Sequence, residues 1–174
     1  MEKIVTSPTS RDIHLGDSRL HTFFIDHLNH IYCAKAHIVQ SFPNIAAHAH
    51  FTDLKHAIIE TMENVEKQIA RMEQIFKILG TKMSVAACTG LTAMLEEAIK
   101  AIKHQSSDGA LRDMSILFYL QNIESVEMAS FKVLQVTAAK LKNKEIIQLL
   151  RESYDEAKED RALLLLISKK YISS

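Results

Sequence analysis

Residues 54–80 read LKHAIIETMENVEKQIARMEQIFKILG, and this stretch decides the fold. Apolar side chains recur there every three or four residues, which is the spacing of one face of an α-helix. The stripe consists of Leu54, Ile58, Met62, Val65, Ile69, Met72, Phe76 and Leu79. Thr52 is a favourable N-cap and Gly80 a favourable residue to follow the helix, so we predict one helix of about 27 residues, or roughly 40 Å. That length is typical of a helical bundle.

The same periodicity predicts three further long helices and one short helix. Their spans are 18–42, 91–102, 110–141 and 144–172. Pro43 is expected to kink or end the first helix, and Asp108 to cap the third long one. Two helical hairpins joined by a long connection predict an all-α, ferritin-like four-helix bundle with a short extra helix in the crossover between helices two and three. A plain up-and-down bundle with an extra helix on its side is the alternative.

Composition favours a single helical domain. The 174 residues include only four glycines, two prolines and no tryptophan, whereas β domains need frequent turn residues. We expect an N-terminal arm over residues 1–17 and one domain over residues 18–174. Lys plus Arg and Asp plus Glu number 21 each, and a chain without net charge provides no field that attracts nucleic acid or an anionic membrane.

Local features predict a cytoplasmic protein that forms a homodimer or another homo-oligomer. The N-terminus lacks the apolar core of a signal peptide, and the longest apolar run, 162–167, is far shorter than the roughly 20 residues of a membrane span. Cys33 and Cys88 show no zinc-site spacing, so neither a structural zinc nor a disulfide is expected. The run 163–167 covers more of the fourth helix than one core face needs, which favours association.

Polar side chains interrupt the apolar stripes at several positions. Lys35 falls on the stripe of the first helix, and Gln121 and Glu124 on that of the third long helix, with Glu127 one turn further on. Ala157 lies on the stripe of the fourth helix, inside a densely charged segment. Carboxylates that project from facing helices build di-iron and di-manganese centres, usually with two Glu-x-x-His pairs. The sequence contains no such pair.

Four stretches resemble one family, the YciE/YciF-like ferritin-like proteins, which are bacterial stress-associated proteins of undefined activity. The stretches are FFIDHLNHIYCAKAHIVQSFPNIA (23–46), residues 54–80 quoted above, LQNIESVEMASFKVL (120–134) and LLRESYDEAKEDRALL (149–164). The resemblance covers about residues 20–170. It implies a ferritin-like bundle, a stress-associated role and an ancestral metal site.

The chain departs from the family pattern at that site. Lys35 stands where the pattern has an acidic residue, Thr61 where it has a histidine, and Ala157 where it has a glutamate. The polar character is kept at Gln68, Glu124, Glu127 and Glu156. Losing two carboxylates while gaining an ammonium removes about three negative charges, which disfavours two divalent cations.

Two hypotheses follow. The first is a non-enzymatic, stress-associated bundle without a cofactor, in which Lys35 pairs with Glu124, and secondarily with Glu127, in place of a metal. The core of this degenerate site would be Lys35, Thr61, Gln68, Gln121, Glu124 and Ala157. The alternative is an iron or manganese protein that binds or oxidises metal. Its candidate ligands are Glu66, Glu124, Glu127, Glu156 and His27.

Overall fold

The structure is a computed structural model that describes residues 16–84 and 89–173, and all regular secondary structure in those ranges is α-helical. The helices are α1 (Asp17–His48), α2 (Thr52–Ile78), α3 (Thr89–His104), α4 (Gly109–Lys140) and α5 (Lys144–Ile172). The all-α prediction is confirmed, with α3 as the predicted short helix. Residues 1–15 of the predicted arm lie outside the described ranges, and Asp17 already belongs to α1.

The four long helices pack in a ring. Helix α1 contacts α2, α2 contacts α5, α5 contacts α4, and α4 closes the ring against α1. Helix α3 packs mainly against α4 and α1. Across the described part of the chain, none of the helices has both the length and the apolar character needed to cross a membrane.

The apolar core of the ring has two parts. The first apolar core includes Ile38, Phe42, Ile58, Ile116, Leu120 and Leu164. The second apolar core includes Phe24, Leu28, Met72, Phe76, Phe131 and Leu150. On each long helix, the residues between these two sets include buried polar side chains.

Helix α1 extends beyond the predicted end at Phe42. Pro43 lies inside the helix, which continues to His48. A proline in a helix lacks the N–H that would bond the preceding turn. Its ring is exposed, however, while Ile45 and Ala46 beyond it are buried. Burial of these two side chains stabilises the last turns despite the missing hydrogen bond.

Helix α2 begins without the predicted Thr52 cap. Thr52 is the first helical residue, and Phe51 at the N-cap position makes no side-chain capping bond. Instead, one carboxylate oxygen of Asp113 in α4 accepts hydrogen bonds from the backbone N–H groups of His50 and Phe51, at 2.7 and 2.5 Å. The acceptor comes from a different helix, so the sequence next to α2 gives no sign of it.

The other helix ends follow their local signals. Gly80 adopts φ of 62° just beyond α2, as a residue after a helix end often does. The Asp108 carboxylate accepts from the backbone N–H of Leu111 at 2.9 Å. Asn143 caps α5 in the same way, accepting from Ile146 at 3.0 Å.

The prediction that the cysteines form no disulfide is wrong for Cys33. This residue is buried in α1 and is disulfide-bonded. Apolar surroundings suit a buried thiol and a half-cystine equally well, so local sequence cannot distinguish them. Cys88, the other cysteine of the prediction, lies outside the described residues.

Candidate functional site

A layer of buried polar side chains crosses the bundle, and most of its members lie between the two apolar cores. We call it the polar layer. Every long helix contributes to it, and no member is more than 3% exposed. Its members are Lys35 of α1, Thr61 and Gln68 of α2, Glu124 and Glu127 of α4, and Ser153 and Asp160 of α5.

The Lys35 ammonium forms an ion pair at the centre of this layer. Its Nζ donates to Glu127 Oε2 at 2.6 Å, and both side chains are completely buried. The same Nζ lies 5.2 Å from the centre of the Phe131 ring, within the range of a cation–π contact. The predicted pairing order was therefore wrong, because the direct partner is Glu127 and not Glu124.

Glu124 is buried, and no residue in the described ranges forms an ion pair with it. Burial raises the pKa of this carboxyl well above its usual range, and the negative charge of Glu127 raises it further. The Lys35 ammonium lowers the pKa, but less strongly than burial raises it. The sum of these effects favours the protonated form of the Glu124 carboxyl over the carboxylate.

Asp160 belongs to the layer although the sequence analysis did not select it. Burial raises its pKa to about 6, against the lowering effect of a hydrogen bond from Asn64 Nδ2, which donates to Asp160 Oδ1 at 2.9 Å. The residue lies in a run of charges that resembles a solvated helix face. A signal was nevertheless present, because Asp160 is three residues after Ala157 and four before Leu164, both on the buried stripe.

The layer has more acceptors than donors. Gln68 donates from Nε2 to the Ser153 carbonyl oxygen at 3.4 Å, and Lys35 is the layer's cation. Five buried side-chain oxygens have no hydrogen-bond partner within the described part of the protein. They are Thr61 Oγ1, Gln68 Oε1, Glu124 Oε2, Glu127 Oε1 and Asp160 Oδ2.

The candidate metal ligands are separated in the structure. Glu124 and Glu127 share the polar layer, but Glu66 is exposed on α2. Both carboxylate oxygens of Glu156 accept from the Arg71 guanidinium, at 2.6 and 2.7 Å. His27 is exposed, and its ring lies against Phe23 and His30.

The residues of the layer do not fit a pair of divalent cations. The Lys35 ammonium already neutralises Glu127 at 2.6 Å, and burial disfavours the carboxylate form of Glu124 that a metal would require. In residues 16–84 and 89–173, no three or more His, Cys, Asp or Glu side chains are grouped to bind a metal ion.

The remaining predicted positions lie at or near the layer. Ala157 is fully buried on α5. Gln121 is half-buried toward the first apolar core, and its Nε2 donates to Ser168 Oγ of α5 at 2.9 Å. Thr61 and Gln68 are within the layer itself.

Fold and site together define an all-helical bundle protein with a buried ion pair and a second buried carboxyl, that of Glu124, in its core. The sequence matches the family described as "Domain of unknown function (DUF892)" over residues 19–173, and the chain belongs to this family. The family is YciF-like, since the chain is 25% identical over 136 residues to Protein YciF of Escherichia coli strain K12, covering 78% of this chain and 81% of the relative.

Two solved structures share the fold. The crystal structure of the E. coli stress protein YciF aligns with a TM-score of 0.85 at 22% identity, covering 89% of this chain and 98% of YciF. YcfI from Rhodopseudomonas palustris aligns with a TM-score of 0.79 at 28% identity, covering 90% of this chain and 96% of YcfI.

Proposed function

We propose that this chain is a non-enzymatic, ferritin-like bundle in which the Lys35 ammonium is the resident cation of the core. The proposal depends chiefly on one contact, the fully buried ion pair between Lys35 Nζ and Glu127 Oε2 at 2.6 Å. A ferritin-like arrangement of two helical hairpins, with α3 in the crossover, agrees with the packing of the four long helices in a ring.

Electrostatics supports a site that excludes metal. A divalent cation beside Lys35 would be repelled by the ammonium, and the repulsion is strong where water is absent. Burial of Glu124 disfavours the negative charge that would offset this repulsion. A buried ammonium paired with one carboxylate is already neutral, so a further cation would leave uncompensated charge in the core.

Metal binding is the second candidate, and one observation favours it. Glu124 Oε2, Glu127 Oε1 and Asp160 Oδ2 are buried oxygens that have no hydrogen-bond partner among the described residues. Oxygen atoms of this kind are what iron or manganese would require. Binding would need Lys35 to move away and Glu124 to be present as the carboxylate, which its burial disfavours.

Metal analysis distinguishes the two candidates. Tag-free protein expressed with added iron and manganese is measured by inductively coupled plasma mass spectrometry, together with Glu124→Ala and, as a matched control, Glu66→Ala at an exposed position. We expect background metal in all three proteins. Near-stoichiometric metal that is lost in Glu124→Ala but kept in Glu66→Ala would establish the second candidate instead.

The physiological part of the proposal is a stress-associated, cytoplasmic role. It draws on the description of the E. coli relative as a stress protein and on the stress-associated family that the sequence resembles. We expect the abundance of this chain to rise when its native cells face osmotic or oxidative challenge. Quantitative mass spectrometry of whole cells before and after challenge measures this, and unchanged abundance under both treatments would contradict it.

A further inference from the structure

A groove lies between α1, α3 and α4 on the outside of the bundle. Its volume is about 930 Å³, which is within the range of small-molecule sites. Its floor is buried and apolar, since Ile31, Ala34 and Leu134 are at most 4% exposed. On its α4 side, Val126 and Val133 are 38% and 50% exposed. Exposed apolar side chains beside a buried apolar floor favour an apolar occupant.

The two ends of the groove differ. Helices α1 and α4 are antiparallel, because the first apolar core joins the end of α1 to the start of α4, and the second joins the start of α1 to the end of α4. His27 and His30 therefore lie near the end that Leu134 lines, and Asn122 lies at the other end. The twelve residues from Asn122 to Leu134 correspond to about 18 Å along α4. The shape of the groove thus suits an elongated molecule.

Few polar groups at the groove are available to a ligand. The hydroxyls of Ser125 and Ser130 each donate to a backbone oxygen of α4, at 2.7 and 2.8 Å. Both are therefore already used within the helix. By contrast, no hydrogen bond between residues of the described ranges uses the side chains of His27, His30 or Asn122. The two histidines supply a pair of free polar groups at one end of an apolar track.

Charge at the groove favours an anionic head group over a cationic one. The described residues that line it include no Asp, Glu, Lys or Arg, so a cation would find no carboxylate there. An imidazole carries at least one N–H donor in either protonation state. The His27 and His30 rings are 5.7 Å apart and nearly perpendicular. Two neighbouring N–H donors match the two acceptor oxygens of a carboxylate.

We propose that the groove binds an unbranched, medium-chain alkyl carboxylate, with the carboxylate at His27 and His30 and the alkyl chain extended toward Asn122. Both histidines are exposed, so the head group keeps contact with water while the chain covers the apolar floor. This arrangement avoids the cost of burying a charge. Neither Lys35 nor Glu127 lines the groove, so the proposal is independent of the function proposed for the core.

A chain-length series tests the apolar track. The full chain is titrated at pH 7 with hexanoate, octanoate and decanoate, each below its micelle concentration, and binding is followed by NMR. We expect one decanoate for each protein chain. Affinity should rise by up to roughly tenfold for each two added methylene groups, because each one leaves water on binding.

A blocking variant tests the position of the ligand. Ala129 is an exposed residue of α4 that lines the groove, so the indole of Ala129→Trp should fill the track and abolish saturable binding of decanoate. The matched control is Val136→Trp, at a position that is 61% exposed and outside the groove. It should bind decanoate like the parent. Circular dichroism spectra of both variants should match that of the parent, since both positions face solvent.

The head group is tested by comparing octanoate with octan-1-ol, which has the same chain length and no charge. The parent should prefer octanoate by roughly tenfold, the value of a hydrogen bond to a charged group. The double variant His27→Leu with His30→Leu should lose this preference, whereas His37→Leu, at an exposed position of α1 outside the groove, should keep it.

Three results would overturn the proposal. The first is the absence of saturable decanoate binding, as expected if another protein surface covers the groove. The second is decanoate binding that Ala129→Trp leaves intact, which would place the ligand elsewhere. The third is equal affinity of the parent for octanoate and octan-1-ol, which would remove the role assigned to His27 and His30.

Discussion

The Lys35 ammonium is fully buried, so its charge is stabilised by one carboxylate, that of Glu127. Moving a charge from water into a protein interior costs several kcal/mol, and the Glu127 contact at 2.6 Å offsets that cost. The Phe131 ring at 5.2 Å contributes a smaller cation–π attraction. Removing one partner alone therefore destabilises the folded state more than replacing both partners with apolar residues.

Lys35→Ala should destabilise the fold by about 3–5 kcal/mol, because it leaves Glu127 buried without its cation. Urea unfolding at pH 7 measures the change, with exposed Lys158→Ala as the matched control, which should stay within about 0.5 kcal/mol of the parent. The double variant Lys35→Met with Glu127→Met should recover most of the loss. An unchanged urea midpoint for Lys35→Ala would contradict the role assigned to this residue.

Asp160 should make stability depend on pH. Burial raises its pKa from the ordinary 3.8 to about 6, so the folded state binds the proton more tightly than the unfolded state. The stability from this carboxyl is complete below pH 3.8 and is lost as pH rises to about 6. At about 1.4 kcal/mol for each tenfold change in proton affinity, the loss is about 3 kcal/mol.

Asp160→Asn isolates that contribution, because asparagine keeps the acceptor for Asn64 but does not titrate. The difference in unfolding free energy between this variant and the parent should shift in favour of the variant by about 2.4 kcal/mol between pH 4 and pH 7. Urea unfolding at several pH values measures it. Exposed Asp155→Asn serves as the control, and a difference that is the same at every pH would refute the prediction.

At the scale of the helices, the start of α2 depends on a residue of α4. Asp113 is fully buried and accepts from two backbone N–H groups, those of His50 and Phe51. A cap within one helix depends only on that helix. Here Asp113 of α4 binds the two residues that precede α2, so this contact links the start of α2 to α4.

Asp113→Ala should cost about 2–4 kcal/mol, since two N–H groups lose their acceptor. Asp108→Ala, which removes an ordinary cap from α4, should cost about 1 kcal/mol. Urea unfolding of both variants makes the comparison, and Asp113→Asn should recover part of the loss by retaining an acceptor oxygen. Equal losses for Asp113→Ala and Asp108→Ala would show that the contact between helices adds nothing.

Local patterns predicted the helices well because helical periodicity needs only neighbouring residues. The Gly80 and Asp108 signals are of this kind, and both are confirmed. The extension of α1 past Pro43 depends on burial by other helices, which the local pattern does not contain. The cap from Asp113 and the disulfide of Cys33 likewise depend on distant parts of the chain.

The site was predicted in part. Lys35 and Glu124 were found because each interrupts an apolar stripe. The choice between Glu124 and Glu127 failed because the two residues are three positions apart on one face of α4 and both are buried, so periodicity does not rank them. Asp160 was missed because neighbouring charges concealed its position on the buried stripe of α5.

At the scale of the whole molecule, acidic and basic residues balance, and the sequence pI is near 7.1. Solubility should therefore be lowest near pH 7, where repulsion between molecules is weakest. It should rise as the pH moves away from 7 in either direction, because the chain then carries a net charge. The polyethylene glycol concentration needed for precipitation measures this, and a value independent of pH would contradict the prediction.

The polar layer has a consequence for how the helices align along the bundle axis. In a bundle with an uninterrupted apolar core, a helix can slip by one turn, about 5.4 Å, and still bury leucine against leucine. Here such a slip would move the Lys35 ammonium away from Glu127, to the level that Ile31 or Ile38 now occupies among apolar side chains. A single buried polar pair is known to fix register in coiled coils. We expect this pair to fix the register of α1 against α4. The two apolar cores stabilise the packing of the helices, and the ion pair allows only one alignment.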